Sequence, residues 1–198
     1  SSAASDVYKR QYSFGPHLHL DVFETESGDY IDPMPFFQSK IKDTRAPKAD
    51  GILFFPQLGK GVVDGKQENK TILPNSERPV EAWGVIGVGI KAYDYMDGVN
   101  NHYGVYSVVL TVDGNEIFRS TVDRFSQEEN RMINSWIYGQ YMKSFIDPGN
   151  TLRLLKASND NRGLVTIDEE RDYQFLYTLK DAFGNTSKYS FTVRGRKQ

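Results

Sequence analysis

The sequence predicts an all-β protein, chiefly an antiparallel β-sandwich with one short helix, and three observations carry this prediction. Short runs rich in valine, isoleucine, threonine and aromatic residues recur along most of the chain, and such side chains favour pleated, half-buried strands. Turn-forming residues, among them Asp-Gly and Gly-Asn pairs, separate these runs. Apolar residues make up 38% of the chain and aromatic residues 13%, enough to bury one large core or two small ones.

The predicted sandwich occupies residues 50–198. Its first strand is the apolar run 51–55, and an irregular stretch rich in glycine and lysine is expected to follow up to Glu77. Short strands separated by turns at this spacing are typical of an antiparallel sandwich. The further strands are expected at 83–93, 103–112, 115–122, 151–155, 171–179 and 188–193. The glycine-rich run 84–89 is assigned to a strand, since its spacing does not match a dinucleotide-binding loop.

Two turns and one helix connect the predicted strands. Asp113 and Gly114 supply the positive φ angles that a two-residue hairpin loop requires. Residues 181–185 form a second turn of similar composition. Residues 126–136 interrupt the strand pattern, because Ser126 is followed by acidic residues and by apolar residues at helical spacing. We therefore expect a short helix between two strands.

The beginning of the chain differs from the sandwich. Residues 1–11 show neither strand nor helix periodicity, and we expect a non-native or disordered leader, the alternative being a native disordered tail. A small β-hairpin follows, with a polar turn at 24–29, and prolines end it. Residues 36–42 are expected to form one helical turn. Residues 40–50 are charged and poor in apolar side chains, which predicts a domain linker.

Composition and charge exclude several classes of partner. The formal net charge is -2, from 24 basic and 26 acidic residues, so we expect no attraction to nucleic acid. No apolar run reaches the ~20 residues that a transmembrane helix needs, and we expect no transmembrane segment in this portion. The absence of cysteine excludes disulfides and thiolate metal ligands.

Two histidines lie two residues apart in the run Gly15-Pro16-His17-Leu18-His19. On a strand, such residues point to the same face, so both imidazoles can address one metal ion or one substrate. Leu18 and Leu20 are then expected to anchor the opposite face in a core. His102 lies in a loop further along the chain and is interpreted as a surface turn residue.

This run, followed after a polar hairpin by Asp32-Pro33, resembles the C-terminal motif of the lysostaphin-type zinc peptidoglycan endopeptidases, the duplicated hybrid motif peptidases. The resemblance covers residues 12–37. It implies that residues 12–45 are the C-terminal remnant of a zinc peptidase domain, the terminal β-hairpin of its sheet. It also implies that His19 is a zinc ligand and that His17 is catalytic, acting in acid/base or transition-state roles. Leu20-Asp21 replaces the Phe-Glu pair that is commoner in the family.

The remaining zinc ligands of that family come from a His-x-x-x-Asp motif upstream, and no such motif precedes His17 in this chain. A catalytic zinc ion usually needs three protein ligands, so we expect the fragment alone to be inactive. In the full-length parent, the resemblance implies a zinc metalloendopeptidase that hydrolyses peptide bonds of peptidoglycan during cell-wall remodelling. Such an enzyme would be exported to the bacterial cell envelope or periplasm, with peptidoglycan or cell-wall peptide as its partner.

Two non-catalytic functions are alternatives. The residues at 181–185 follow an Asp-x-x-Gly-Asn pattern that resembles bacterial immunoglobulin-like envelope domains. An immunoglobulin-like sandwich could bind glycan, wall peptide or protein, or it could serve as a structural spacer. The aromatic residues of the sandwich have two interpretations. They form either a platform for sugar rings or part of a buried core, and the core is favoured. These residues are Tyr93, Tyr95, Tyr103, Tyr106, Trp136, Tyr138 and Tyr141.

The sequence suggests a metal-binding role for four loop residues and a structural role for one tyrosine. Asp94, Asp97, Asn159 and Asp160 lie in predicted loops and are candidates for calcium, although they lack the ligand spacing of a helix-flanked calcium loop. Tyr173, near the start of a late strand, is expected to brace the sandwich through its hydroxyl group.

Overall fold

The computed structural model describes residues 20–197, and these residues form an all-β fold with little helix, as predicted. The two helices are α1 (Met34–Phe37) and α2 (Asn130–Trp136). The strands are β1 (Val22–Phe23), β2 (Tyr30–Ile31), β3 (Lys48–Val63), β4 (Lys70–Ile72), β5 (Val80–Tyr93), β6 (Ser107–Val112), β7 (Asn115–Thr121), β8 (Arg124–Phe125), β9 (Ile137–Tyr138), β10 (Tyr141–Lys143), β11 (Leu155–Ala157), β12 (Val165–Ile167), β13 (Asp172–Lys180) and β14 (Thr186–Gly195). None of the described helices is long and apolar enough to cross a membrane.

The larger sheet is continuous and curled. Its strand order is β11-β7-β6-β13-β14-β5-β10-β9, with β3 and β12 also paired to β5, and β4 paired to β3. The described pairings are antiparallel except one, where Val80–Ala82 of β5 runs parallel to the end of β14. The two layers that we predicted as a sandwich are therefore linked by hydrogen bonds through the long strand β5.

Aromatic packing closes the curled sheet over its core. Phe54 of β3 meets Phe191 of β14 edge to face, with ring centroids 5.7 Å apart, although the two strands are not hydrogen-bonded neighbours in the described sheet. Phe191 also stacks on Phe175 and Tyr177. All four side chains are buried. Opposite parts of the sheet thus pack face to face through large aromatic rings.

Strand β3 corrects the prediction of an irregular stretch after residue 55. It continues to Val63, and β4 lies within the same stretch. Glycines at the pairing of β3 with β5 explain the difference, because a Cβ at Gly61 would lie 2.0 Å from the carbonyl oxygen of Val85. The register shifts between Pro56 and Gly61, and β-bulges of this kind let strands bend and continue. The glycine-rich run 84–89 lies within β5, as predicted.

The predicted turns are confirmed. Asp113 and Gly114 have φ angles of 50° and 81°, and Val112 pairs with Asn115, the geometry of a two-residue hairpin loop. The turn 181–185 joins β13 to β14. Tyr173 is buried, and its hydroxyl accepts the backbone N–H of Glu169 at 3.1 Å, so the predicted brace is also confirmed.

Helix and strand ends differ in places from the prediction. Helix α2 begins at Asn130, later than expected, but Ser126 and Glu129 form a reciprocal pair ahead of it. The Glu129 carboxylate accepts the Ser126 N–H, and the Ser126 hydroxyl accepts the Glu129 N–H, which is a capping box. The strand predicted at 151–155 was wrong, because extended pairing starts only at Leu155. Helix α1 ends at Phe37, earlier than the predicted helical turn.

The predicted linker is packed against the sheet. Residues 41–47 have no regular secondary structure, yet Asp43 and Pro47 are buried. The Ser187 hydroxyl donates to the carbonyl oxygen of Pro47 at 2.6 Å. The Asn185 side chain donates to the carbonyl oxygen of Asp43 at 3.2 Å. Side chains of β14 and its preceding turn therefore hold this segment.

Candidate functional site

The predicted zinc motif immediately precedes the described residues in the sequence. His17 and His19 lie outside the described residues, so their roles stay predictions. Leu20 is described and is 56% exposed. We expected it to be anchored in a core, and that expectation was wrong for the part of the chain that is described.

The predicted hairpin is present directly after this motif. Val22 pairs with Ile31 and Phe23 with Tyr30. The Glu24 N–H donates to the carbonyl oxygen of Asp29 at 3.0 Å, closing the turn. Strands β1 and β2 are short, and two-stranded hairpins are marginally stable alone in water. The hairpin therefore depends on what it docks against.

The hairpin docks on β8 and completes a small three-stranded sheet. Tyr30 of β2 pairs with Phe125 of β8, and their rings stack with centroids 5.4 Å apart. Arg124 of β8 donates to the Glu24 carboxylate at 2.8 Å. Backbone pairing and an ion pair thus attach the hairpin to residues of the predicted sandwich.

The Asp32-Pro33 step forms a compact corner after the hairpin. The carboxylate of Asp32 accepts the backbone N–H of Met34 at 2.9 Å, and its own N–H donates to the carbonyl oxygen of Asp123 at 2.8 Å. Partial burial raises the pKa of Asp32. The corner starts α1 and directs the chain towards the segment 41–47.

The structure brings three aspartates from different parts of the chain together. Asp43 lies in the segment 41–47, Asp94 directly follows β5, and Asp181 directly follows β13. One carboxylate oxygen from each lies within 4.8 Å of the others. The three residues are 8%, 3% and 2% exposed, respectively. We call Asp43, Asp94 and Asp181 the buried aspartate cluster. Within residues 20–197, it is the only group of three or more His, Cys, Asp or Glu residues with such spacing.

Backbone and amide donors satisfy the cluster only in part. Asp181 is well supplied, accepting from the N–H groups of Phe183 and Asn185 and from the Asn185 amide. Asp43 accepts two backbone N–H bonds through Oδ1, each at 3.2 Å, whereas its Oδ2 has no partner among the described residues. Oδ1 of Asp94 is likewise without a described partner. Two buried carboxylate oxygens are thus left without compensation, which is costly.

The proximity of three carboxylates adds to the free-energy cost of burying them. Burial is the main reason that the pKa of Asp94 rises to about 6, and the neighbouring carboxylates of Asp181 and Asp43 contribute to the increase. No salt bridge found in residues 20–197 involves any of the three. Arg45 is nearby, but its guanidinium lies over the Tyr95 ring and donates to backbone carbonyls.

The donor set of the cluster suits a hard divalent cation. Carboxylate and carbonyl oxygens are the ligands of calcium and magnesium, whereas zinc sites are built mainly from histidine and cysteine. Of the four residues that the sequence suggested for calcium, the cluster contains only Asp94. Asn159 instead supports its own turn, accepting the Gly163 N–H at 2.7 Å. Asp97 accepts the hydroxyl of Thr44.

Sequence reasoning missed Asp43 and Asp181 as members of this cluster, because it assigned Asp43 to a linker and Asp181 to a turn. A signal was available for two members. Asp94 comes directly after the predicted strand 83–93, and Asp181 comes two residues after the predicted strand 171–179. Residues at strand ends of one sheet can meet at its edge. The burial of Asp43 had no comparable signal, since its segment is charged and lacks periodicity.

An apolar cavity of about 330 Å³ adjoins the cluster. Asp94 lies in its wall, as do Asp32 and Ala182, next in sequence to Asp181. Its apolar lining combines aromatic and sulfur-containing side chains. These are Met34, Met96, Tyr103, Tyr106, Trp136, Met142 and Phe183. The cavity thus reaches both the Asp32-Pro33 corner and the buried aspartate cluster.

Three of the seven aromatic residues that the sequence suggested for a sugar platform line this cavity, namely Tyr103, Tyr106 and Trp136. Trp136 is buried, and its indole N–H donates to the carbonyl oxygen of Lys143 at 2.9 Å. Tyr138 is exposed and contacts Phe55. Tyr93 instead stacks on His102, with ring centroids 4.6 Å apart. His102 is exposed, as predicted.

Comparison of the sequence with models of known protein families gives no match, and comparison with curated proteins gives none either. The likeness to zinc peptidases therefore depends on the short motif and the residues that follow it.

Proposed function

We propose that this chain is part of a zinc metalloendopeptidase that hydrolyses peptide bonds of bacterial peptidoglycan, and that the β-sandwich positions the catalytic hairpin. One observation carries the proposal. The run Gly15 to His19 continues directly into a hairpin that ends at Asp32-Pro33, the order of elements in the lysostaphin-type motif.

The exposed side chains of the hairpin support this proposal. Leu20 and Phe23 are 56% and 51% exposed, and β1 is one of the two outer strands of the small sheet among the described strands. An exposed strand edge with apolar side chains favours pairing with further strands. In the proposed enzyme, those strands belong to the rest of the peptidase sheet.

The proposed roles of the two histidines are those that the resemblance to the lysostaphin-type motif implies. His19 binds zinc, and His17 transfers protons during hydrolysis. When bound, zinc would supply a water molecule of lowered pKa and a Lewis acid for the scissile carbonyl group. Because the resemblance implies further ligands upstream, the proposed activity belongs to the full-length parent, exported to the cell envelope.

The test uses the full-length protein and purified peptidoglycan. We expect wild-type protein to contain about one zinc ion and to release new amino groups from the wall. His19→Ala should lose zinc and at least about 100-fold in activity, because ligand loss disables the centre. His102→Ala is the matched control and should retain both, since His102 is exposed. A wild-type protein without hydrolysis, or equal effects of the two variants, would overturn the proposal.

The apolar cavity favours a second candidate function, the binding of wall peptide without catalysis. Its apolar walls and the two carboxyl groups of Asp32 and Asp94 fit a ligand with an apolar body and an amino group. In this case, soluble wall peptides should bind the full-length protein without being cleaved. Tyr103→Ala should weaken that binding, whereas His19→Ala should leave it unchanged.

A further inference from the structure

The buried aspartate cluster lies apart from the histidine motif in sequence and consists of oxygen ligands alone. We propose that Asp43, Asp94 and Asp181 form a Ca²⁺ site that fastens the segment 41–47 to the sheet. This site is separate from the proposed zinc centre and goes beyond the proposed function. Each ligand comes from a different segment of the chain, so a bound ion would cross-link the three.

Burial and unsatisfied oxygens carry the inference together. Oδ2 of Asp43 and Oδ1 of Asp94 have no hydrogen-bond partner among the described residues, and both residues are more than nine-tenths buried. Carboxylate oxygens within 4.8 Å of one another repel when ionised. A divalent cation between them would satisfy the free oxygens and offset this repulsion.

The hydrogen bonds around the cluster also fit a metal site. Ligating carboxylates are usually fixed in orientation by further hydrogen bonds. Asp181 is fixed by two backbone N–H groups and by the side chain of Asn185. Asp43 is fixed by the N–H groups of Arg45 and Asp97. In both residues, these donors hold the carboxylate in place without any cationic side chain.

Calcium fits this cluster better than magnesium or zinc. The cluster offers no nitrogen or sulfur ligand, which argues against zinc. Its ligands come from three separate segments of the chain, and calcium tolerates variable geometry and six to eight oxygen ligands. Magnesium demands near-ideal octahedral geometry and keeps several waters. Backbone carbonyls and waters would complete the coordination of calcium, and the adjoining cavity provides space for waters.

The first test measures binding and stability after treatment of the chain with a chelator. Isothermal titration with Ca²⁺ should show one site. A hundredfold excess of Ca²⁺ over Kd should raise the Tm by about 5–10 °C. Asp94→Asn should weaken Ca²⁺ binding at least about tenfold, and without Ca²⁺ it should raise the Tm, because it removes one of three crowded charges. Weaker Ca²⁺ binding together with a higher Tm in the absence of Ca²⁺ shows that Asp94→Asn has lost the site, since a misfolded variant would have a lower Tm.

Asp160→Asn is the matched control, because Asp160 is an exposed aspartate outside the cluster. It should bind Ca²⁺ as the wild type does. The proposal is overturned if Ca²⁺ does not raise the wild-type Tm, if Asp94→Asn and Asp160→Asn respond alike, or if Mg²⁺ stabilises as strongly as Ca²⁺. His19→Ala should leave the Ca²⁺ response intact, so failure of the zinc proposal is distinguishable.

A second test examines the segment itself. Trypsin cleaves after Arg45, which lies between Asp43 and β3. If Ca²⁺ fastens this segment, cleavage after Arg45 should slow at least about tenfold when Ca²⁺ is present, since cleavage requires local opening. Asp181→Asn should remove this protection. Equal cleavage rates with and without Ca²⁺ in the wild-type protein would overturn the fastening role.

Discussion

The Arg153 guanidinium donates hydrogen bonds to both carboxylate oxygens of Glu129. Its Nε and Nη2 atoms lie 2.9 and 2.8 Å from Oε2, and its Nε also donates to Oε1 at 3.0 Å. The same Nη2 donates to Asp29 in the hairpin turn at 2.8 Å. One guanidinium therefore joins the hairpin to the start of α2, and this geometry is the strong, bidentate kind of charge-assisted pair.

We predict that Glu129→Gln lowers the free energy of unfolding by about 2–3 kcal/mol, because Glu129 is buried and its charged hydrogen bonds are lost. Urea denaturation of the chain measures this loss. Glu116→Gln is the control. Its partner Arg119 forms a half-exposed pair with it, so the loss there should stay below about 1 kcal/mol. Equal losses would contradict the role assigned to Arg153.

We predict that the Glu129 carboxylate also makes the free energy of unfolding depend on pH. Hydrogen bonds from Arg153 are the main reason that the pKa of Glu129 falls from 4.5 to about 2. A lowered pKa stabilises the fold above the unfolded pKa, and that contribution disappears as pH falls from about 4.5 to 2. We expect it to be on the order of 3 kcal/mol at neutral pH. The stability difference between wild type and Glu129→Gln should shrink over this range, and a constant difference would contradict the prediction.

We predict that Tyr177→Phe lowers the free energy of unfolding by about 1–2 kcal/mol. The hydroxyls of Tyr177 and Ser144 are 2.8 Å apart, and both residues are buried. Removing one leaves the other without its partner. Adding Ser144→Ala to this variant should cost less than Ser144→Ala alone, and urea denaturation of the four proteins measures the coupling. Strict additivity would show that the bond contributes nothing.

We predict that Gly84→Ala lowers the free energy of unfolding by at least about 3 kcal/mol. Gly84 has a φ of +78°, and an added Cβ would lie 2.0 Å from the carbonyl oxygen of Lys60. Gly114→Ala is the control, since its φ is +81° but nothing lies within 4 Å of an added Cβ. It should cost only about 1 kcal/mol. A similar loss in both variants would show that backbone strain, and not the close approach, sets the cost.

Sequence patterns predicted the elements that depend on local chemistry. The loop at Asp113-Gly114 and the brace at Tyr173 were predictable because turn residues and aromatic placement act over a few positions. The extension of β3 past residue 55 was not. It depends on Gly61 facing Gly84, and nothing near Gly61 in sequence indicates that approach.

At the candidate site, the buried aspartate cluster was also predictable only in part from the sequence. Asp94 was noticed because it lies in a loop with other acidic residues. Asp43 acquires its burial from the turn at 181–185, more than a hundred residues away, and no local pattern reports such a contact. The predicted zinc motif is the opposite case, because its residues lie close together in sequence and the pattern alone suggested their chemistry.

The pairing of β2 with β8 has a consequence for how this protein can change by recombination. A crossover at the charged segment 41–47 would separate Tyr30 from Phe125, which are partners in one backbone ladder. A transplanted module would arrive without the strand that completes its small sheet. The hairpin and the sandwich should therefore be inherited together.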